Sequence, residues 1–212
     1  MKKQITLLAL TILSYTLYGQ EYMAMGIRGA GGFSTLKNIS RSSIFPTNGL
    51  NGVSEGNRFA WDIGISFQGG LENNFFCQTD ATVGMLGASL KNTGYKYGGG
   101  INKIDYHSFQ SNIYLGKKIP VNENFRFLLA VGLYIDFHMD TSLLGESNTP
   151  EFIRENFKDW DFGGTLMAGF ECGKVQFAIN PQIGFVDLTR DHSRAFNRNL
   201  KFAITYYFLS SE

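Results

Sequence analysis

Phe125-Arg126-Phe127-Leu128-Leu129-Ala130-Val131-Gly132-Leu133-Tyr134-Ile135-Asp136-Phe137-His138-Met139 alternates with a period of two. Phe125, Phe127, Leu129, Val131, Leu133, Ile135, Phe137 and Met139 share one face. Arg126, Leu128, Ala130, Gly132, Tyr134, Asp136 and His138 share the other. Successive side chains of an extended chain point to opposite faces, so this is a β-strand. It exceeds the roughly 9–11 residues that a tilted strand needs to cross a bilayer.

The same rhythm appears on both sides of it. Downstream, Trp160, Phe162, Leu166, Ala168 and Phe170 oppose Asp161, Gly163, Thr165, Met167, Gly169 and Glu171; Val175, Phe177, Ile179, Pro181, Ile183 and Phe185 oppose Gln176, Ala178, Asn180, Gln182 and Gly184. The last segment sets Leu200, Phe202, Ile204, Tyr206 and Phe208 against Asn199, Lys201, Ala203, Thr205 and Tyr207. Upstream, Phe59, Trp61, Ile63, Ile65 and Phe67 oppose Ala60, Asp62, Gly64, Ser66 and Gln68. Less regular strands are expected near 23–35, 75–90 and 103–117, giving eight. Pro181 removes one ladder donor, for which a bulge is the expected remedy.

The polar face distinguishes a membrane barrel from a soluble one. A water-facing sheet surface would be rich in Lys, Glu and Thr. Here Lys201 is the one Lys on the regular strands' second face, and small or amide residues dominate. Such a face suits a crowded, closed interior, with the large apolar side chains meeting lipid. Connection lengths agree. Links after the second, fourth and sixth strands are short (69–74, 118–124, 172–173), and those at 37–57, 91–102, 140–158 and 187–198 are long. Short turns on one side and long loops on the other are expected of an outer-membrane barrel, the short ones periplasmic. Thr149-Pro150 within the third long loop predicts a short helix.

Composition fits this reading. Charged residues are 17% of the chain, below the roughly 25% of soluble domains, while aromatics reach 15%. The start, Met1-Lys2-Lys3 followed by an apolar run from Ile5 to Leu17, predicts a secretory signal peptide over 1–20 ahead of a barrel domain over 21–212. Without Lys2 and Lys3, 17 of the 19 basic residues face 18 acidic ones, a net −1. No basic run supports nucleic acid as a partner. Cys77 and Cys172 fall on non-adjacent strands, and two lone thiols lack a metal ligand set, so no metal is expected. Gly26, Gly29, Gly31 and Gly32 lack the spacing of a dinucleotide fingerprint, and no cofactor is expected.

Gly26-Ile27-Arg28-Gly29, Trp61-Asp62-Ile63-Gly64, the hairpin from Asp161-Phe162-Gly163-Gly164 to Gly173-Lys174-Val175-Gln176-Phe177, and Asn199-Leu200-Lys201-Phe202 through Tyr206-Tyr207-Phe208 carry a family resemblance. The chain resembles the PorT-like outer-membrane β-barrel proteins, also labelled porin-family or outer-membrane protein β-barrel domain. The resemblance implies a barrel in the outer membrane of a Gram-negative bacterium. Through the name-giving protein it also implies a role as accessory to a secretion or assembly machine. It brings no catalytic residues.

Eight strands leave an interior that side chains fill, so general diffusion is not expected. The inward charges, Arg28, Asp62, Asp80, Arg126, Asp136, Asp161, Glu171 and Lys201, are expected to form a structural lumenal ion-pair network. Opposed residues of an antiparallel pair have a constant index sum. A sum of 297 sets Arg126 opposite Glu171, and Asp136 opposite Asp161 with Lys201 or Arg28 as their neutralising cation.

A lipid-modifying enzyme is the competing class. Its candidates are His107 with Ser108, His138 with Asp140 and Ser142, and Asp191-His192-Ser193. His107 and Ser108 point to opposite faces of a strand, His138 faces inward, and Asp191–Ser193 sit among Arg190, Arg194 and Arg198, which suit anionic lipid headgroups. No catalytic site is assigned. Trp61, Trp160, Tyr106, Tyr206 and Tyr207 are candidates for an interfacial girdle. The reading is a small barrel with a structural or surface-recognition role through its long loops. Its partners are outer-membrane lipids, the barrel-assembly machinery during biogenesis, and any protein that the loops contact.

Overall fold

The computed structural model describes residues 22–38, 53–92, 101–144, 157–190 and 194–211. The strands are β1 (Tyr22–Lys37), β2 (Val53–Gly56), β3 (Arg58–Gly70), β4 (Phe75–Asn92), β5 (Ile101–Pro120), β6 (Phe125–Leu144), β7 (Trp160–Cys172), β8 (Val175–Gly184) and β9 (Phe196–Ser211). From β3 to β9 each strand pairs antiparallel with the next, β1 pairs with β3 and with β9, and β2 pairs with β4, so the sheet closes. The short β2 and β3 both pair with β4, and their partner index sum changes by one between Gly56↔Ser89 and Trp61↔Met85. They are therefore two segments of one staggered strand, and the barrel is eight-stranded. Closure leaves no long open edge.

The short connections are tight for local reasons. Gly173 turns β7 into β8 at φ 56°, a left-handed conformation that glycine adopts without a Cβ penalty. Between β5 and β6, the Asn122 Oδ1 accepts the Asn124 and Phe125 backbone N–H groups at 3.0 and 2.8 Å, an Asx turn. The strands run on past the expected bounds at the other end, and β2 lies within the expected 37–57 loop. The expected signal peptide and the Thr149–Arg154 helix lie outside the described residues.

Pro181 needs no bulge. The β7–β8 register holds one index sum from Gly163↔Gly184 to Cys172↔Val175. Pairing lapses only around Pro181, where the neighbouring Asn180 side chain donates Nδ2–H to the Leu166 carbonyl at 3.4 Å. That carbonyl faces the missing proline N–H, so a side chain stands in for the lost donor. The register does shift elsewhere, between Met25 and Gly26 in the β1–β9 ladder and between His107 and Ser108 in the β5–β6 ladder.

Alternation sorts the faces. Outward Ile27, Ile63, Ile113, Val131, Leu166, Ile204 and their neighbours form an exposed apolar belt around the barrel, with Val131 at 62%. Inward residues are buried and mostly polar. At the long-loop end this code changes. Inward Leu36, Ala60, Leu86, Ala88, Ile104 and Tyr106 pack with Phe157, Leu188 and Ala195 from the connections into an apolar cluster. The interior is thus stoppered there by an ordinary hydrophobic core.

Candidate functional site: the barrel lumen

The lumen fills in layers. At the short-turn end, Lys118 on β5 places Nζ 2.8 Å from Glu171 Oε2 and 2.7 Å from Gln68 Oε1. Its ammonium also lies over the Tyr22 ring, 4.7 Å from the centroid. Arg126 faces Glu171 in register, as expected, but stands 3.6 Å away with its side chain 42% exposed. The close partner of Glu171 is Lys118, which the sequence reading left in the turn.

Next comes a ring of amides. Gln78 and Gln176 bond each other reciprocally, and the Tyr207 hydroxyl donates to both. Gln78 also donates to Asp80 Oδ1 at 2.9 Å. Above it lies the charged centre. Arg28 pairs with Asp62 and, through Nε at 3.3 Å, with Asp80. Lys201 reaches the other Asp62 oxygen at 2.8 Å and Gln110 at 3.0 Å. Ser66 donates to Asp80, and Gln110, Gln182, Asn112 and Asn199 continue the network. Burial strengthens each pairing and raises the cost of losing one.

A second acidic layer sits between this centre and the apolar stopper. Asp136 and Asp161 face each other across β6 and β7, both at 0% exposure. Asp161 accepts the Tyr134 hydroxyl at 2.7 Å and the Phe162 N–H at 2.8 Å. Gly163 and Gly184 make the room for this. A Cβ at Gly163 would lie 2.6 Å from the Tyr134 ring, and one at Gly184 3.0 Å from Asp161 Oδ2. Of the cations expected for this acidic pair, Lys201 lies close enough for its charge to act on Asp136, to which Ser108 also donates, but it forms its ion pair with Asp62. Arg28 and Lys201 are held by Asp62 and Asp80, and among the described residues no Lys or Arg pairs with Asp136 or Asp161.

Of the expected inward residues, Arg28, Asp62, Asp80, Asp136, Asp161, Glu171 and Lys201 are buried in the lumen and Arg126 lies at its mouth. The structure gathers them into three groups rather than one chain of pairs. Trp61, Trp160 and Tyr206 are exposed on the outer face, but Tyr106 and Tyr207 point inward, so the expected girdle loses these two. Both lie at positions that the phase of their own strands assigns to the lumen, Tyr106 with Ser108 and Tyr207 with Thr205. Cys77 and Cys172 are free thiols on non-adjacent strands.

The catalytic candidates do not assemble. Ser108 is buried inside while His107 is exposed on the outer face. The Nδ1 of His138 lies 3.0 Å from the Lys158 carbonyl. The Asp140 and Ser142 side chains and Asp191–Ser193 lie outside the described residues. On the connection beside them, Asp187 accepts the Thr189 hydroxyl at 2.8 Å and the Thr189, Arg194 and Ala195 backbone N–H groups. Partial burial opposes its charge, but these donors outweigh it and hold the carboxyl below its ordinary range.

No protein-family model matches the chain, and no curated protein matches it. Among solved structures, it is similar to Neisserial surface protein A at 11% identity, covering 89% of this chain and 100% of that one, with a TM-score of 0.47. It is similar to OprG of Pseudomonas aeruginosa at 11% identity over 89% of this chain and 93% of that one, with a TM-score of 0.40. The attachment invasion locus protein of Yersinia pestis aligns at 10% identity over 89% of this chain and 99% of that one, with a TM-score of 0.35.

Proposed function

We propose that this chain is a small, non-conducting barrel of the outer membrane of a Gram-negative bacterium, acting through its long loops as a structural or surface-recognition protein. One observation carries the reading: an apolar belt outside surrounds an interior of mutually bonded polar side chains. In water that belt would be a severe aggregation liability; in lipid it is the required surface. Among the described residues, lumenal side chains and the apolar stopper pack the interior in successive layers, so in this reading the lumenal charges serve stability.

In this reading residues 1–20 are a signal peptide removed on export, the short turns are periplasmic, and the loops face outside. Outer-membrane lipids cover the belt, with Arg190, Arg194 and Arg198 near the anionic headgroups. The barrel-assembly machinery is the partner during biogenesis. Catalysis fits less well, because His107 and Ser108 lie on opposite sides of the wall. The residues that resemble the PorT-like family favour a second reading, an accessory of a secretion or assembly machine; capture of membrane partners separates it from the first.

The test is the purified mature protein in detergent. Unheated protein should migrate differently from heated protein on a gel, and planar bilayers should show no steady conductance. Identical mobility together with solubility in plain buffer would overturn the membrane placement, and a stable open channel would overturn the sealed lumen.

A further inference from the structure

On the outer wall, the apolar belt is hollowed where β1 meets β9. Gly29 and Gly31 face outward there and floor a hollow of about 490 Å³, walled by Ile63 of β3 and by Phe202, Ile204 and Tyr206 of β9. The packing of the barrel does not ask for glycine at position 29. A Cβ at the inward Gly32 or Gly64 would run into the Leu200 or Ala81 carbonyl, but one at Gly29 would meet nothing within 4 Å. A strand glycine weakens its strand, and one that no neighbouring backbone crowds suits the close approach of something outside the chain.

Cations gather on the same two strands toward the long loops. Lys37 faces Phe196 in the ladder and Arg198 faces Thr35, so Lys37 and Arg198 are diagonal neighbours, roughly 7–8 Å apart, on the exposed outer face. Arg194 lies just beyond, also exposed. Its backbone is fixed from two sides: its carbonyl accepts Asn38 Nδ2–H at 3.3 Å, and its N–H donates to Asp187 Oδ2 at 3.0 Å. Lys37 has Glu55 at 3.8 Å, but among the described residues no carboxylate stands within 4.0 Å of the guanidinium of Arg194 or Arg198.

Hollow and cations have the spacing of one lipid. Phe202 and Tyr206 follow Arg198 by four and eight residues along β9. At roughly 3.3 Å per residue and a strand tilt of about 40°, the hollow lies about 10–20 Å below Arg198 along the membrane normal. One leaflet's hydrocarbon is about 15 Å deep, so an acyl chain hanging from a headgroup at Arg198 enters the hollow. Above it, two guanidinium groups and an ammonium complement an anionic headgroup, and the arginine fork matches phosphate oxygens. We infer that the β1–β9 wall seats one phosphate-bearing lipid, with its phosphate held by Arg198, Arg194 and Lys37 and an acyl chain laid over Gly29. This inference rests on the membrane placement proposed above.

The experiment uses the mature chain with Trp160→Phe, refolded into phosphatidylcholine vesicles. That change leaves Trp61, the cross-strand neighbour of Gly31, as the reporter of this wall. Acyl chains carrying bromine quench tryptophan on contact. Brominated phosphatidic acid, added as a minor fraction, should quench Trp61 with an apparent preference of about tenfold or more over an equal fraction of brominated phosphatidylcholine. Arg198→Gln and Arg194→Gln should each lower that preference about fivefold. Gly29→Leu, which fills the hollow without a clash, should lower it too, whereas Lys117→Gln at the short-turn end should leave it unchanged. Quenching by neither lipid would overturn the membrane placement itself. Equal quenching by both would overturn the seat and leave the placement standing. A loss in Lys117→Gln as large as in Arg198→Gln would also overturn the seat, because the preference would then follow general surface charge.

Discussion

Removing Lys118 and Arg126 together should destabilise the barrel by more than the sum of removing each alone. Glu171 is the shared partner: Lys118 approaches it at 2.8 and 3.0 Å from a buried position, whereas Arg126 stands 3.6 Å away and is 42% exposed. Arg126→Met deletes a loose, half-solvated pair, for which about 0.5 kcal/mol is the ordinary cost. Lys118→Met deletes the tight pair and the contacts with Gln68 and Tyr22, but leaves Arg126 near enough to swing onto Glu171. A cost of about 1–3 kcal/mol follows, below the roughly 3–5 kcal/mol of a fully stripped buried charge. The double variant strips Glu171 completely and should reach that higher range, so the coupling between the two sites is about 1 kcal/mol or more. Adding Glu171→Gln to the double variant should recover most of the loss. Urea titrations of the refolded protein in lipid vesicles, read by tryptophan fluorescence, give the four free energies. Additive single-site costs, or an Arg126→Met cost equal to that of Lys118→Met, would refute the claim that burial and distance rank these two cations.

Asn180→Ala should cost about 1–2 kcal/mol by the same titration, because it removes one of the two side-chain donors to the Leu166 carbonyl beside Pro181 and an acceptor of the buried Arg28; a neutral result would mean that Thr165 alone satisfies that carbonyl. The Asp187 carboxyl is held below its unfolded value, so its contribution is present above the ordinary Asp range and is lost as pH falls through its lower folded value. Limited proteolysis of the 185–195 connection should therefore be unchanged from neutral pH down to about pH 5, with an acid-stable protease cutting faster below about pH 4, and Asp187→Asn should be cut faster at neutral pH. Protease added to intact cells should cut within 37–57 or 140–158 and spare the 118–124 turn; cleavage at the short turns alone would invert the topology.

How far the sequence carried the fold depends on which medium lies on each side of the wall. Between Phe125 and Phe137 lipid is outside and a packed polar lumen inside, so every second residue reports its face and the 297 index sum aligns Arg126 with Glu171 and Asp136 with Asp161. Where the strands run on at the long-loop end, the inside becomes an ordinary apolar core. Leu36, Leu86 and Ile104 are inward and buried there, so alternation fades and the flanking strands read as irregular although they are well paired. Phe157 and Leu188, which complete that core from the connections, carry no periodic signal at all. Lys118 was missed for a related reason. Its strand has a mixed outer face, with His107 and Ser111 among Phe109, Ile113 and Leu115, so the expected strand ends at 117 and leaves Lys118 to the turn. The β5 phase extended two residues from Gly116 puts Lys118 in the lumen, where burial favours it over the mouth-exposed Arg126 as the partner of Glu171. The Asp136–Asp161 opposition was legible, but that Lys201 would pair with Asp62 rather than with Asp136 was not, because an index sum fixes neighbours along a ladder and says nothing about reach across the lumen. Lys201 and Arg28 lie in the layer of Asp62 and Asp80, and each carboxylate there claims a cation before the next layer can. Lys201, held by Asp62, therefore acts on Asp136 only at longer range, and that arrangement is a property of the closed barrel rather than of any one strand.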